Sequence, residues 1–292
     1  MIDKKGNIFS IELILVIFMF IFTIGIITSL TNSTSEKISS EIDKNHIEKI
    51  TTESLDNLLN NPGKPSNWEN LSNLNSISPG LAILNTDNKT IKNTISYDKL
   101  KHLENSYDLL ITNKVFSNKI KSSIAIYPLN SEIQPSFYGD SDERTNVFPI
   151  NRLVKCDYFS KYVLVNFNEN HECNKNHDLN YSCGYFKIYN SYLEENDYYL
   201  LTAEKDLYYS IDNTKEFNNE FKKINNKIYL NDILTDSLKY NNSGIFFIHL
   251  KSENPEAILI AIPKDFEKNY LIYDYFRITD CKLIFKTWYS IE

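Results

Sequence analysis

The feature that most constrains this chain is an uncharged, apolar stretch close to its amino terminus. From Leu13 to Ile27, every residue except one Thr and one Gly has an apolar side chain. The longer segment from Ile8 to Leu30 would span about 35 Å as an α-helix at ~1.5 Å per residue, which is enough to cross a hydrocarbon core of ~30 Å. Since lipid offers the backbone no hydrogen-bond partners, we predict that this segment is a transmembrane helix.

The flanks of this segment predict an uncleaved anchor and its orientation. The apolar run is longer than the ~7–15 residues of a secretory signal peptide, and no small-x-small cleavage site follows it closely. Lys4 and Lys5 precede the run, whereas residues 36–44 after it carry no basic excess. By the positive-inside rule, the amino terminus is cytoplasmic and the remaining roughly 260 residues are extracellular. We therefore expect a single-pass protein of the cell membrane, in contact with membrane lipid.

Glu12 places a carboxylate at the start of the predicted membrane helix, where an unpaired charge is costly unless it reaches the headgroup level. The order Lys4-Lys5-Gly6, a few residues, Glu12 and a long apolar helix resembles the type IV pilin signal, especially its archaeal class III form. The resemblance implies cleavage between Gly6 and Asn7 by a prepilin-peptidase-type enzyme. It also implies that Glu12 neutralises the new amino terminus of a neighbouring pilin-like subunit. In the family this glutamate usually lies fifth after the cut, whereas Glu12 lies sixth.

The pattern after the membrane helix predicts an amphipathic stalk helix over residues 31–61. Its apolar residues recur at steps of three to five: Ile38, Ile42, Ile47, Ile50, Leu55 and Leu58. Pro62 ends the pattern, because the residue before a proline is pushed out of the helical region. The turn that begins at Pro62, with Trp68 and then Pro79-Gly80, resembles pilin-like surface proteins of methanogenic archaea from Met1 to about Val115. We interpret Trp68 as the plug that seats this turn against the stalk helix.

Beyond this turn the pattern predicts one more long helix and then strands. Ser96 can cap a helix whose apolar stripe consists of Leu100, Leu103, Tyr107 and Leu110. The predicted strands are Ile120–Tyr127, Tyr162–Phe167, Cys183–Tyr189, Tyr198–Ala203, Gly244–Leu250, Ala257–Ile262, Leu271–Ile278 and Lys282–Tyr289. Helical patches are predicted at Lys215–Ile224 and Asn231–Tyr240.

The predicted fold class is α+β: a transmembrane helix continuing into the stalk helix, then a mainly antiparallel β head. The corresponding domains are residues 1–30, 31–61 and 62–292, with a soft boundary near 130–150. The chain has 20 Tyr and 17 Phe but only 7 Gly, which favours strands over disorder. Its net charge of −7 argues against a nucleic-acid partner.

All four cysteines lie in the region predicted to be extracellular: Cys156, Cys173, Cys183 and Cys281. An even number in an exported region indicates two disulfides, with three possible connectivities. Cys173 and Cys183 form the favoured local pair, which leaves Cys156 and Cys281. A zinc site is the alternative, because metal-ligand residue types cluster at His171-Glu172-Cys173, His177-Asp178 and Cys183. The cluster lacks a Cys-x-x-Cys pair, so the disulfide-closed loop is favoured and no metal or other cofactor is predicted.

The sequence offers little sign of catalysis. It contains no Gly-x-Ser-x-Gly elbow, no His-Glu-x-x-His and no phosphate-binding glycine loop. Ser182-Cys183-Gly184-Tyr185 faintly resembles a cysteine-protease nucleophile, but the surrounding signature is missing. His249 lies in an apolar strand and is interpreted as a hydrogen-bonded sheet residue. No catalytic residue is therefore predicted.

These patterns favour a non-enzymatic, membrane-anchored, pilin-like cell-surface protein, either a minor filament subunit or an adhesion or interaction module. One alternative is a monomeric single-pass protein whose extracellular domain binds an envelope partner. A less favoured alternative is an exported hydrolase.

Overall fold

A computed structural model describes residues 4–140, 147–169, 181–213, 217–218 and 220–289. For residues 4–11, 39–40 and 43 it describes the backbone alone. The chain divides into two compact units, Met1–Ser54 and Leu55–Glu292.

The first unit is helical. One helix, α1, covers Lys4–Asn60 and continues into the second unit. Within it, the 27-residue segment Glu12–Ile38 has a mean hydropathy of 2.8 and is long and apolar enough to cross a membrane. The large apolar side chains between Leu13 and Leu30 are 46–69% exposed. The prediction of an apolar N-terminal helix of membrane-spanning length is therefore confirmed.

The Thr hydroxyls within this apolar segment are hydrogen-bonded to the helix itself. Thr23, Thr28, Thr31 and Thr34 each donate their hydroxyl to the carbonyl four residues earlier, at 2.7–2.9 Å. Such bonds remove the cost of placing a hydroxyl group in an apolar solvent.

The second unit contains helices and strands. Its helical elements are α2 (Tyr97–Tyr107), which continues as a π-helix (Asp108–Val115), α3 (Asn190–Glu195), α4 (Asn231–Leu238) and the 3-10 turns Trp68–Asn70, Ser160–Tyr162, Lys268–Tyr270 and Tyr273–Phe276. The strands are β1 (Ala82–Leu84), β2 (Thr90–Ser96), β3 (Ile120–Pro128), β4 (Ser136–Gly139), β5 (Phe148–Asp157), β6 (Val163–Asn166), β7 (Ser182–Tyr189), β8 (Asn196–Thr202), β9 (Leu207–Asp212), β10 (Lys222–Ile224), β11 (Lys227–Tyr229), β12 (Ser243–Leu250), β13 (Ala257–Pro263) and β14 (Ile278–Tyr289).

The described strands form three sheets. One has six strands in the order β1-β2-β5-β14-β3-β4, and the other two have four each, in the orders β10-β9-β12-β7 and β11-β8-β13-β6. The neighbouring strands are antiparallel except for β2 and β5. The prediction of an α+β fold with mainly antiparallel sheets is therefore confirmed.

The two four-stranded sheets share one hydrophobic core. Side chains from both sheets meet there, including Phe186 and Ile188 of β7, Phe246 of β12, and Leu200 and Leu259 of the facing sheet. Because side chains alternate along a strand, the even-numbered residues of β7 and β12 point into this core. The odd-numbered residues of the same two strands therefore lie on the opposite face of their sheet.

The start of the second unit is held together by buried polar contacts. Trp68 is fully buried, and its Nε1 donates to the carbonyl of Gly80 at 2.9 Å. The Lys99 ammonium is also buried and donates to the carbonyls of Pro62 at 2.6 Å and Ala82 at 2.8 Å. Burial lowers the pKa of Lys99, although the Coulomb interaction with Glu69 opposes this shift. Trp68 is therefore buried within this turn, whereas its predicted packing against the stalk helix stays a prediction.

Two predicted elements were wrong. The predicted strand Leu271–Ile278 is instead a 3-10 turn at Tyr273–Phe276, and β14 begins only at Ile278. Its apolar residues are buried by aromatic packing, such as Phe276 against Phe159 at 5.8 Å between ring centroids, and not by strand pairing. The predicted helical patch Lys215–Ile224 ends in strand β10, which pairs with β9.

The predicted second helix is confirmed. The Ser96 hydroxyl accepts a hydrogen bond from the Lys99 amide at the start of α2, as an N-cap does. The four residues of its apolar stripe are buried: Leu100, Leu103, Tyr107 and Leu110.

Gly80 provides a test of this packing. A Cβ at Gly80 would lie 2.2 Å from the Asn61 carbonyl oxygen and 2.4 Å from the Gly63 nitrogen, both backbone atoms. We expect Gly80→Ala to lower the free energy of unfolding by about 3 kcal/mol or more, because backbone cannot move aside cheaply. Urea unfolding of the full-length chain in detergent, followed by tryptophan fluorescence, measures the change.

Gly244→Ala is the matched control. A Cβ at Gly244 would meet only side-chain atoms, Leu238 Cδ2 at 2.9 Å and Phe246 Cε2 at 3.1 Å. Its expected loss is smaller, about 1 kcal/mol. Equal losses for the two variants would contradict the close backbone approach at Gly80.

Candidate functional site

Polar side chains lie side by side on the sheet face opposite the head's core. Cys183 of β7 and His249 of β12 are directly opposite each other in register. On the other side of His249, the residue opposite is Ser210 of β9. Asp212 lies two residues further along β9, on the same face. Three neighbouring strands thus bring a thiol, an imidazole, a hydroxyl and a carboxylate to one place.

Three of these groups form a hydrogen-bonded chain. The Cys183 Sγ lies 3.0 Å from His249 Nδ1, and His249 Nε2 lies 3.0 Å from Asp212 Oδ2. The residues are 4%, 0% and 8% exposed, respectively. If Nε2–H of His249 donates a hydrogen bond to the Asp212 carboxylate, the Nδ1 lone pair is left to accept a hydrogen bond from the Cys183 thiol. The imidazole therefore links a thiol to a carboxylate.

Ser210 is the unmatched member of the group. Its side chain is 1% exposed, and its Oγ has no hydrogen-bond partner among the residues that the structure describes. A buried hydroxyl without a partner costs about 1–3 kcal/mol. Such a group marks a position where a water molecule or a ligand supplies the missing bond.

Gly184 lets the backbone next to Cys183 pack closely on the core face of β7. A Cβ at Gly184 would lie 2.4 Å from Val165 Cγ1 and 2.9 Å from Phe167 Cε1. The backbone next to Cys183 therefore sits directly against side chains that follow or belong to β6. This contact explains why glycine follows the cysteine.

An aromatic cover lies over the hydrogen-bonded chain. The Phe217 ring meets the His249 ring edge-on, with centroids 4.9 Å apart. Tyr181 lies 5.3 Å from Phe221 and 6.1 Å from Phe217 between ring centroids. All three cover residues are partly exposed, whereas the His249 side chain is fully buried. We call Tyr181, Phe217 and Phe221 the aromatic cover.

Cys183, His249 and Asp212 do not by themselves form a metal site. Cys183 and Asp212 contact opposite nitrogens of His249, so these three side chains do not converge on one point. Over the described ranges there is no group of three or more His, Cys, Asp or Glu residues that could hold one. Most of the cluster that suggested zinc, including His171, Cys173 and His177, lies outside the described residues.

The cysteines predicted to form disulfides fall into two groups. Cys173 lies outside the described residues, whereas Cys183 is a buried thiol and not half of a disulfide. Cys156 and Cys281 are buried thiols, and no disulfide joins them. They lie opposite Thr279 and Val154, respectively, in the β5–β14 ladder, and therefore occupy diagonal positions. Diagonal neighbours hold their Cβ atoms further apart than the ~3.8 Å typical of a disulfide.

These two thiols interact as a hydrogen-bonded pair. The hydrogen bond to Cys281, together with burial, raises the pKa of Cys156 well above its usual range. The hydrogen bond accepted from Cys156 lowers the pKa of Cys281. The predicted disulfide between Cys156 and Cys281 is therefore wrong: the two cysteines are neighbours, but both are thiols.

The predicted processing and assembly residues lie at the start of α1. Lys4, Lys5, Gly6 and Asn7 form its first turns. Glu12 is exposed and begins the segment of membrane-spanning length.

Sequence reasoning missed Asp212 and Ser210, and it dismissed Cys183 and His249 as chemical partners. His249 does form hydrogen bonds within a sheet, as interpreted, but its partners are a thiol and a carboxylate. One sequence signal could have indicated this group: polar residues occupy alternate positions of otherwise apolar strands, so they lie on one face of the sheet.

Comparison of the chain with protein-family models, with curated proteins and with solved structures gave no significant match. The function is therefore inferred from the chemistry of the side chains.

Ser210 gives a direct test of the site. In the protein without ligand, we expect Ser210→Ala to raise the free energy of unfolding by about 1 kcal/mol, because it removes a buried hydroxyl that lacks a partner. Ser122→Ala is the matched control, since the Ser122 hydroxyl is buried and lies 2.9 Å from the Tyr107 hydroxyl. This second change should lower the free energy of unfolding by about 1 kcal/mol. A loss of stability in Ser210→Ala would show that the Ser210 hydroxyl is already hydrogen-bonded.

Proposed function

We propose that this protein is a membrane-anchored, pilin-like cell-surface protein whose β-rich head is held outside the cell by α1. The observation that carries the proposal is the exposed apolar surface of α1. Its large side chains from Leu13 to Leu30 are 46–69% exposed, which water would not tolerate over so long a stretch. Lipid, or the same surface of neighbouring helices, covers it.

Lipid suits this segment in detail. No Asp, Glu, Lys or Arg occurs between Glu12 and Glu36. The Thr hydroxyls within it bond to the helix's own carbonyls, so the membrane has no unpaired hydroxyl of Thr to solvate. Lys4 and Lys5 before the segment favour a cytoplasmic amino terminus and an extracellular head.

Glu12 supports assembly with other pilin-like subunits. A carboxylate at the start of a lipid-exposed segment needs a cation, because burying it unpaired is costly. Cleavage after Gly6 by a prepilin-peptidase-type enzyme would create such a cation at Asn7. Packing of α1 against the helix of a neighbouring subunit then pairs the amine of one chain with Glu12 of the other. Residues 31–61 act as the stalk between the membrane and the head.

Processing is tested by the mass of the mature protein. We expect the chain recovered from membranes of its native host to begin at Asn7. Gly6→Leu should block this cleavage, whereas Gly25→Leu should be processed normally, because a side chain at Gly25 meets nothing within 4 Å. Intact-mass spectrometry distinguishes the forms. A wild-type chain that retains Met1 in the membrane would contradict the pilin-like proposal and favour a plain single-pass anchor.

Assembly is tested at Glu12. We expect Glu12→Ala to abolish crosslinking between subunits in membranes while leaving the protein in the membrane fraction. Glu36→Ala, which removes the next carboxylate along α1, is the matched control and should crosslink as the wild type does. Crosslinked products that are unchanged in Glu12→Ala would show that this carboxylate has no part in assembly. Absence of crosslinks in the wild type would favour a monomeric protein whose head binds an envelope partner.

A further inference from the structure

We propose that Cys183, His249 and Asp212 form an acyl-transfer centre on the outer face of the head, acting on an ester, thioester or amide. In this centre Cys183 is the nucleophile, His249 is the general base and acid, and Asp212 positions the imidazole. The activity is independent of membrane anchoring and of pilin-like assembly.

The order of the atoms carries the proposal. Nucleophilic catalysis by a thiol needs a base within hydrogen-bond reach, and the base needs a third group that orients it. Here Sγ lies 3.0 Å from Nδ1, and Nε2 lies 3.0 Å from a carboxylate oxygen. Two successive contacts of this length place one imidazole between a proton donor and an orienting carboxylate. That is the connectivity required to move a proton from thiol to leaving group.

A purely structural role explains this arrangement less well. Replacing buried, interacting polar groups with apolar residues of similar volume is often neutral or stabilising. The adjoining strand residues of this face could therefore have been apolar, as Phe247 is between Tyr185 and Asp212. In addition, the buried Ser210 hydroxyl beside His249 lacks a partner among the described residues. An unmet hydrogen bond next to the base leaves a hydroxyl available to a bound polar group.

The surroundings favour the reaction. The aromatic cover keeps bulk water away from the imidazole, which strengthens the electrostatic interactions within the site. The three side chains of the cover are partly exposed, and movement of the Phe217 ring away from His249 would open the site to a small substrate. Lys251 lies 6.0 Å from the Phe221 ring centroid and places a positive charge at the edge of the cover.

The chemical steps balance without an oxidant or reductant. Cys183 transfers its proton to His249 Nδ1, and its sulfur attacks the acyl carbon, which forms a C–S bond. The bond from the acyl carbon to the leaving group breaks as His249 returns the proton to that group. Water then attacks the thioester while His249 takes a proton from it and delivers that proton to the departing sulfur. The products are a carboxylic acid and the protonated leaving group.

The experiment uses p-nitrophenyl acetate and the full-length chain purified in detergent. We expect a burst of one p-nitrophenolate per chain and an increase in intact mass of one acetyl group, mapped to Cys183 by peptide mass spectrometry.

His249→Gln should slow acetylation by about 100-fold or more. Asp212→Asn should slow it as well, and Asp212→Glu should recover part of the rate, because a carboxylate again orients the imidazole. Cys156→Ser, which removes a buried thiol of another sheet, should react as the wild type does.

Phe217→Ala tests access, since it removes the ring that contacts His249. We expect it to speed acetylation of Cys183. If Cys183 stays unmodified in both the wild type and Phe217→Ala, the proposal is overturned. It is equally overturned if folded His249→Gln, verified by circular dichroism, is acetylated at the wild-type rate. Neither outcome bears on cleavage after Gly6. The acyl-transfer proposal and the pilin-like proposal are therefore tested independently.

Discussion

Alternation of side chains along β7, β9 and β12 governs both the stability of the head and the chemistry available on it. One set of positions, including Phe186, Ile188 and Phe246, points into the core between the two four-stranded sheets. The other set carries Cys183 and His249 on the opposite face. The same hydrogen-bonded ladder therefore buries apolar surface on one side and aligns polar groups on the other. Close packing at Gly184 adds the constraint that holds β7 in place.

The apolar segment of α1 also satisfies its polar groups internally. Its backbone and its four Thr hydroxyls are bonded within the helix, so the exposed surface from Leu13 to Leu30 is almost wholly apolar. Glu12 is the exception, and it lies at the end of the apolar stretch, not in its middle. In the second unit, backbone polar groups are hydrogen-bonded largely between strands, whereas in α1 they are hydrogen-bonded within one helix.

Local patterns were enough to predict α1 and α2, because an apolar run or a stripe at helical spacing is contained within a single segment. They were insufficient for β5, whose Pro149 argues against a strand by the usual rule. The structure accommodates Pro149 because β2 pairs with β5 only at Lys155–Asp157, so at the proline that side of β5 has no partner strand among the described residues. The failure at Leu271–Ile278 has the opposite cause, since apolar residues there are buried by ring packing without any ladder.

Local sequence patterns could not predict the Cys–His–Asp group, because its members are brought together by the order of the strands. Cys183 and His249 are 66 residues apart, and Asp212 is 37 residues from His249. Their meeting depends on which strands become neighbours, and no short motif encodes the order β9-β12-β7.

The direct opposition of Cys183 and His249 has a consequence for how the chain reaches its native state. A slip of one residue between β7 and β12 would turn the Cys183 sulfur toward the core and place Ser182 or Gly184 opposite His249. The imidazole would then face a weakly acidic hydroxyl or no side chain at all, in place of the thiol. The nucleophilicity of a single sulfur atom thus reports whether two distant segments have found their correct alignment, and it distinguishes a properly folded head from a compact but misregistered one.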